Sequence, residues 1–212
     1  AVGQMRIAGN RFFGIGPDRL SAPVAAIRVL PPFDRTAIDD NSVERIGEAG
    51  QNPIVIEWRA INIVPEPAGA VPGFVAAGYF AAAESAYLLT ASRAFAVLLR
   101  PAAVSIRGNQ LRGQATGVPL NQCGAVDSLL FADNHCQTAG DGGKEPLLGE
   151  FGGRTLNVSN NRLIALGDLD TLHLHPQQKL AIVMGNTSTG NIRVQSGAPV
   201  PADMSLTNII GM

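Results

Sequence analysis

The sequence predicts an all-β protein whose chain winds as a parallel β-helix, a three-sided solenoid with about 25 residues in each coil. Three observations predict it. A strand-and-corner phrase recurs at nearly constant spacing, apolar residues within that phrase alternate with period two, and 24 Gly and 14 Pro punctuate short apolar runs along 212 residues.

The phrase is written four times in the second half. It reads Val104-Ser-Ile106-Arg-Gly108-Asn109, Leu129-Leu-Phe131-Ala-Asp133-Asn134, Leu156-Asn-Val158-Ser-Asn160-Asn161 and Ala181-Ile-Val183-Met-Gly185-Asn186, with Asn-to-Asn spacings of 25, 27 and 25. A fifth copy, Met5-Arg-Ile7-Ala-Gly9-Asn10, stands 99 residues before Asn109, close to four such periods.

Each part of the phrase has a physical role. Residues five and three before the Asn are apolar and share one side of a strand, so they face a core. The residue immediately before the Asn is Gly, Asp or Asn, types that tolerate left-handed backbone at a sharp corner. Two residues beyond it, Phe12, Leu111, Cys136 and Leu163 turn inward again, and Ser188 breaks the rule. Between Asn161 and Asn186 the runs 163–166, 171–174 and 180–184 supply three short strands, the complement of one three-sided coil. Stacked coils would bring Asn10, Asn109, Asn134, Asn161 and Asn186 into an internal ladder of side-chain amides, a structural rather than catalytic role.

The corner after an alternating strand, as in Ser105-Ile-Arg-Gly-Asn-Gln-Leu and Asn157-Val-Ser-Asn-Asn-Arg-Leu, resembles the right-handed parallel β-helix superfamily of pectate lyases, polygalacturonases and phage tailspikes. The likeness covers residues 100–195 and touches residues 4–14. It implies a fold, and members that cleave acidic polysaccharides add clustered Asp residues, a basic residue on the adjacent strand or a Gly-His-Gly motif. This sequence carries none of these, which lowers the expectation of an enzyme.

One domain is expected over residues 1–212, with irregular coils or an insertion over 15–100, regular coils over 101–195 and a tail or cap over 196–212. Strand-like runs occur at 26–30, 54–58, 60–64, 87–90 and 94–99, without a clear corner phrase between them. The stretches 34–52 and 65–72 read as long loops, and 74–86 as a short capping helix or a further coil. The longest apolar stretch, 74–99, is broken by Glu84, Ser85, Ser92 and Arg93 and is too polar to span a bilayer. The chain starts at Ala1 with no secretory leader, as expected of a mature product or a fragment of a longer repeat protein.

Charge bounds the partners. Only 16% of residues are charged and the net charge is −1, which leaves no field to hold a nucleic acid. Cys123 and Cys136 are the only cysteines, and one disulfide or two buried thiols fit equally well. No cofactor or metal site is expected. Paired carboxylates for glycoside hydrolysis would come from Asp127, Asp133, Glu145, Glu150, Asp168 and Asp170. His173 and His175 alternate with Leu172 and Leu174, so both imidazoles project from one face of a strand, without the third ligand a metal needs. The run Gly140-Asp-Gly-Gly143 is a loop without phosphate-cradle spacing, and Asn157-Val-Ser and Asn186-Thr-Ser match the glycosylation sequon weakly.

The leading expectation is a non-catalytic structural or binding module, extracellular or particle-associated, that self-associates into a fibre or oligomer and contacts polysaccharide. The alternative is a polysaccharide lyase or glycoside hydrolase working on a lateral face with Glu150, His173 and Asp133 as catalytic candidates.

Overall fold

A computed structural model describes residues 2–15, 24–29, 33–45, 58–63, 102–114, 118–139, 147–165, 170–194 and 209–210. Within them the protein is all β, in sixteen strands. These are β1 (Val2–Ala8), β2 (Arg11–Phe13), β3 (Val24–Val29), β4 (Phe33–Asp39), β5 (Ser42–Arg45), β6 (Trp58–Ile63), β7 (Ala103–Arg107) and β8 (Gln110–Gln114), then β9 (Asn121–Ala132), β10 (His135–Ala139), β11 (Gly149–Ser159), β12 (Arg162–Ile164), β13 (Asp170–Met184), β14 (Thr187–Ser188), β15 (Asn191–Val194) and β16 (Ile209–Ile210).

Every pairing among them is parallel. One sheet runs β1-β4-β7-β9-β11-β13-β15 with β3 and β6 joined at its side, and the other runs β16-β14-β12-β10-β8-β5-β2. The chain crosses from the first sheet to the second at each corner, so side chains one pass apart stack in register. Ile7, Ile38, Ile106, Phe131, Val158 and Val183 form one such row. Phe12, Val43, Leu111, Cys136, Leu163 and Ser188 form the facing row. These rows make the core, and each large side chain fully withdrawn from water stabilises it by about 1.5–3 kcal/mol. Ser188 belongs to its row despite its polarity. It is fully buried, its Oγ donates to the Gly190 carbonyl at 2.7 Å, and it shares a 2.6 Å hydrogen bond with Thr171 Oγ1.

The asparagines stack as an unbroken ladder. Each Oδ1 accepts two hydrogen bonds from the rung before it, one from the backbone N–H and one from Nδ2, at 2.9–3.1 Å from Asn10 through Asn41, Asn109, Asn134 and Asn161 to Asn186. The corner residue before each rung has positive φ: Gly9 69°, Asp40 54°, Gly108 66°, Asp133 57°, Asn160 56° and Gly185 66°. Gly108 takes that φ without the strain a side chain bears, and a Cβ there would press on the Asp40 carboxylate.

Two expectations for the first half are corrected. Residues 34–52 are not one long loop, because β4 and β5 occupy 33–39 and 42–45 around an Asp40-Asn41 corner. Asp34, Arg35 and Asp40 are exposed there while Thr36, Ile38, Asn41, Val43 and Arg45 are buried, so the strands look polar in sequence. Nor are Asn10 and Asn109 separated by four periods, since only Asn41 stands between them, at steps of 31 and 68 residues. The excess has a definite place. β6 pairs with residues 121–123 of β9, and β7 with residues 128–132 of the same strand. What is one continuous strand in β9, β11 and β13 is therefore divided between β6 and β7, which residues 64–101 separate in sequence. The register of β11 shifts against its neighbours at the equivalent point, Phe151 to Thr155, the kind of irregularity that admits an insertion. The capping helix or further coil expected at 74–86, the runs 87–90 and 94–99 and the loop 65–72 lie outside the described residues.

Candidate functional site

Two surfaces collect polar chemistry. On β13, Leu172 and Leu174 are fully buried, which sends His173 and His175 outward as the alternation requires. Neither is a plain surface histidine. His173 Nε2 lies 2.9 Å from Asp170 Oδ2, and His175 Nε2 lies 3.2 Å from Glu150 Oε1 on β11. Arg193 Nε on β15 also meets Asp170 Oδ2, at 2.7 Å. Burial pushes the Asp170 carboxyl up, but hydrogen bonds from His173 and Arg193, with their charges, pull it below its ordinary value. Parallel register continues this polar row over five strands as Asn62, Gln122, Glu150, His173 and Arg193. Gln122 is 94% buried in it, and its Oε1 has no hydrogen-bond partner among the described residues.

Glu150 and His173, two of the candidate catalytic residues, stand opposite each other in register on β11 and β13, and their hydrogen bonds go to other partners. Asp133 is not brought to them. It forms the corner after β9 and its Oδ2 accepts from Arg107 Nε at 3.1 Å. Asp127 pairs with Arg154 at 3.4 Å, and Glu145 and Asp168 lie outside the described residues, as does the loop 140–143. No group of three or more His, Cys, Asp or Glu side chains able to hold a metal ion occurs among the described residues. Register sets His173 directly opposite Glu150 and His175 opposite Gly152, so His175 reaches Glu150 diagonally between the adjacent strands β11 and β13.

The second surface is the outer side of the larger sheet. A groove of about 820 Å³ crosses β1, β4, β7, β9, β11 and β13, with Arg6 and Arg35 at one end, Ala37, Ala103, Ser105 and Ser128 along the floor and Ile182 at the other end. It was not foreseen, because its lining residues come from six separated stretches. No helix among the described residues is long and apolar enough to cross a membrane.

The remaining candidates are structural. Cys123 and Cys136 are free, buried thiols, and burial raises both well above the ordinary thiol value. Asn186 is fully buried in the ladder, which closes that sequon to modification, and Asn157 sits mid-strand with its Oδ1 buried. On the smaller sheet, burial and then the charges of Arg162 and Arg112 hold His135 below the ordinary imidazole value. A lowered value means the folded state resists protonation, so this contribution is present above pH ~6.5 and is lost as pH falls below it. His135→Gln should accordingly gain stability relative to the parent between pH 7 and pH 5, read as a rising difference in urea midpoints. A pH-independent difference would refute this.

No family model, no curated protein and no solved structure matches this chain.

Proposed function

We propose that the chain is a right-handed parallel β-helix serving as a non-catalytic scaffold and binding module of an extracellular or virion-like assembly, with copies of it associating. Right-handed winding is the hand that parallel crossovers adopt. The carrying observation is the asparagine ladder, six rungs joined without a gap, which gives a stiff rod whose lateral surfaces repeat at strand spacing. At one end of the larger sheet β1 is paired only with β4 among the described residues. Met5, Ile7 and Phe12 at that end are only partly buried, and Phe13 is 64% exposed. An edge of that kind templates further strands, and head-to-tail stacking, one end of a copy on the opposite end of the next, makes fibres.

Electron microscopy across a concentration range tests this. Fibres or closed oligomers are expected, and Ile7→Lys, which sets an inward charge on the edge, should reduce them. Dispersed monomers at every concentration would overturn the assembly reading.

A second reading is favoured by the two His–carboxylate pairs, which a lyase or hydrolase could use as acid and base. It requires cleavage of some glycan in a broad panel, lost in Glu150→Gln and His173→Ala.

A further inference from the structure

We infer that the outer face of the smaller sheet binds a linear acidic glycan laid across its strands, with carboxylate or sulfate groups of the chain on Arg11, Arg112 and Arg162. The inference rests on the binding-module half of the reading above and gives that module a ligand and a surface.

Register builds this face. β2, β5, β8, β10 and β12 are adjacent in that order, and since the row from Phe12 to Leu163 points into the core, the residues on either side of it point out. One outward row reads Arg11, Ser42, Gln110, His135 and Arg162, and the next reads Phe13, Glu44, Arg112, Gln137 and Ile164. Charge on these rows is one-sided, with three exposed arginines against the single carboxylate of Glu44. Glu44 comes only within 3.9 Å of Arg112, and Arg11 and Arg162 meet no carboxylate among the described residues. His135 sits between the strands of Arg112 and Arg162 and registers the imbalance, because after burial it is the charges of these two guanidinium groups that oppose its protonation. Like charges gathered on a sheet without counter-charge are destabilising, and an anionic occupant removes that cost. Charge complementarity thus states what covers the face.

Spacing narrows the class of anion. The arginines stand on the first, third and fifth of these strands, so across the sheet they recur every two steps, about 9.6 Å, with Arg112 set two residues along from the row of the others. An extended peptide lying across the strands presents same-side groups every ~6.6 Å and falls out of step. A β-linked sugar unit advances by about one strand spacing. An acidic group on every second sugar therefore meets an arginine on every second strand, and a guanidinium fork takes a carboxylate or a sulfate with two parallel hydrogen bonds.

The neutral residues suit a sugar chain as well. Ser42, Gln110 and Gln137 set a hydroxyl and two amides between the arginines, and none of the three makes a side-chain hydrogen bond among the described residues, which leaves them for sugar hydroxyls. At the β2 edge Phe13, 64% exposed, offers its ring to the apolar face of a sugar. One aromatic is too few to stack the successive bases of a single nucleic-acid strand, and three arginines fall short of the about 6–10 phosphate contacts that hold a duplex. Four steps from β2 to β12 span about 19 Å, the reach of about five sugars.

The test is fluorescence anisotropy with labelled short oligosaccharides of hyaluronan, chondroitin sulfate and polygalacturonate, at a protein concentration where microscopy shows dispersed copies. A neutral cello-oligosaccharide, a single-stranded oligonucleotide and a polyglutamate peptide of similar length are run beside them. At least one acidic glycan should bind, and should weaken as salt is raised. Arg112→Glu combined with Arg162→Glu should weaken it at least tenfold, whereas Glu44→Gln, which removes the one competing carboxylate, should tighten it severalfold, a gain that a merely structural role for the face does not produce. Bound glycan should also move the His135 imidazole titration, followed by NMR, to higher pH. No binding of any of the three acidic glycans, equal binding of the neutral one, indifference to the double charge reversal, or an oligonucleotide or polyglutamate bound as tightly as the best glycan would overturn the inference. Those results leave the microscopy of the parent protein untouched, so failure of the glycan face and failure of the assembly reading are told apart.

Discussion

Replacing Asn134 by aspartate should destabilise the protein by about 3–5 kcal/mol at neutral pH and by much less in acid. Asn134 is the middle of the ladder and 1% exposed. Its Oδ1 accepts from Asn109 N and Nδ2, both at 3.0 Å, and its Nδ2 donates to the Ile106 carbonyl at 2.9 Å and to Asn161 Oδ1 at 3.1 Å. Aspartate keeps the accepting oxygen but puts a second oxygen where the amide stood, facing two acceptors in a site closed to water. The ionised form is opposed by burial and by those lone pairs, so the folded-state pKa rises above the unfolded value of ~3.9. With the folded value raised, the acid form stabilises the fold at low pH. The penalty then grows as pH climbs from about 4 through the folded pKa, and levels off above it. Asn134→Ala removes the same hydrogen bonds without a titrating group, so its deficit should not change with pH. Trp58, the single tryptophan, is 1% exposed with its Nε1 donating to the Ile15 carbonyl, and its fluorescence reports the urea transition. Parallel pH profiles for the aspartate and alanine variants would sink the account of the ladder as a dry, directional hydrogen-bond chain.

What could be read from the residues was whatever repeats at short range. Ile106, Phe131, Val158 and Val183 announce themselves because each is followed three residues later by an asparagine that the ladder needs, and a missing rung would leave its neighbours' amides unpaired. Asn41 fills the same position but escaped notice. Its step to Asn109 is lengthened by an insertion that costs the ladder nothing, and Thr36 stands where the other phrases carry an apolar residue. The polar row and the groove were less legible still. Glu150 and His175, or Ala37 and Ser105, become neighbours only through register between strands of successive passes, and a shift of one residue would turn each to the other side of the sheet. His173 was found because the alternation with two leucines is local. Arg193 was not, because nothing within its own strand tells that Asp170 lies beside it.

The core makes an equally sharp demand where β11 begins. Phe151 is fully buried with its ring centroid 4.7 Å from that of Phe131, tilted by 42°, and truncation to alanine should cost about 3–5 kcal/mol. The ring reaches back over Gly149, two residues earlier on the same side. A Cβ on Gly149 would lie 2.6 Å from Phe151 Cζ and 2.8 Å from Leu172 Cδ2. Gly149→Ala alone must therefore displace the ring, and overpacking of this kind costs about 1–3 kcal/mol. In the Phe151→Ala background the main obstacle is gone and the added methyl occupies part of the cavity. The same substitution should there be close to neutral or mildly stabilising. The two changes should show a coupling energy of at least about 1 kcal/mol, the range found for residues in contact. Urea titration of the parent, both single variants and the double variant closes the cycle. Simple additivity would mean that Gly149 is not held small by the phenylalanine, and that the tight contact between them does not govern how this part of the core packs.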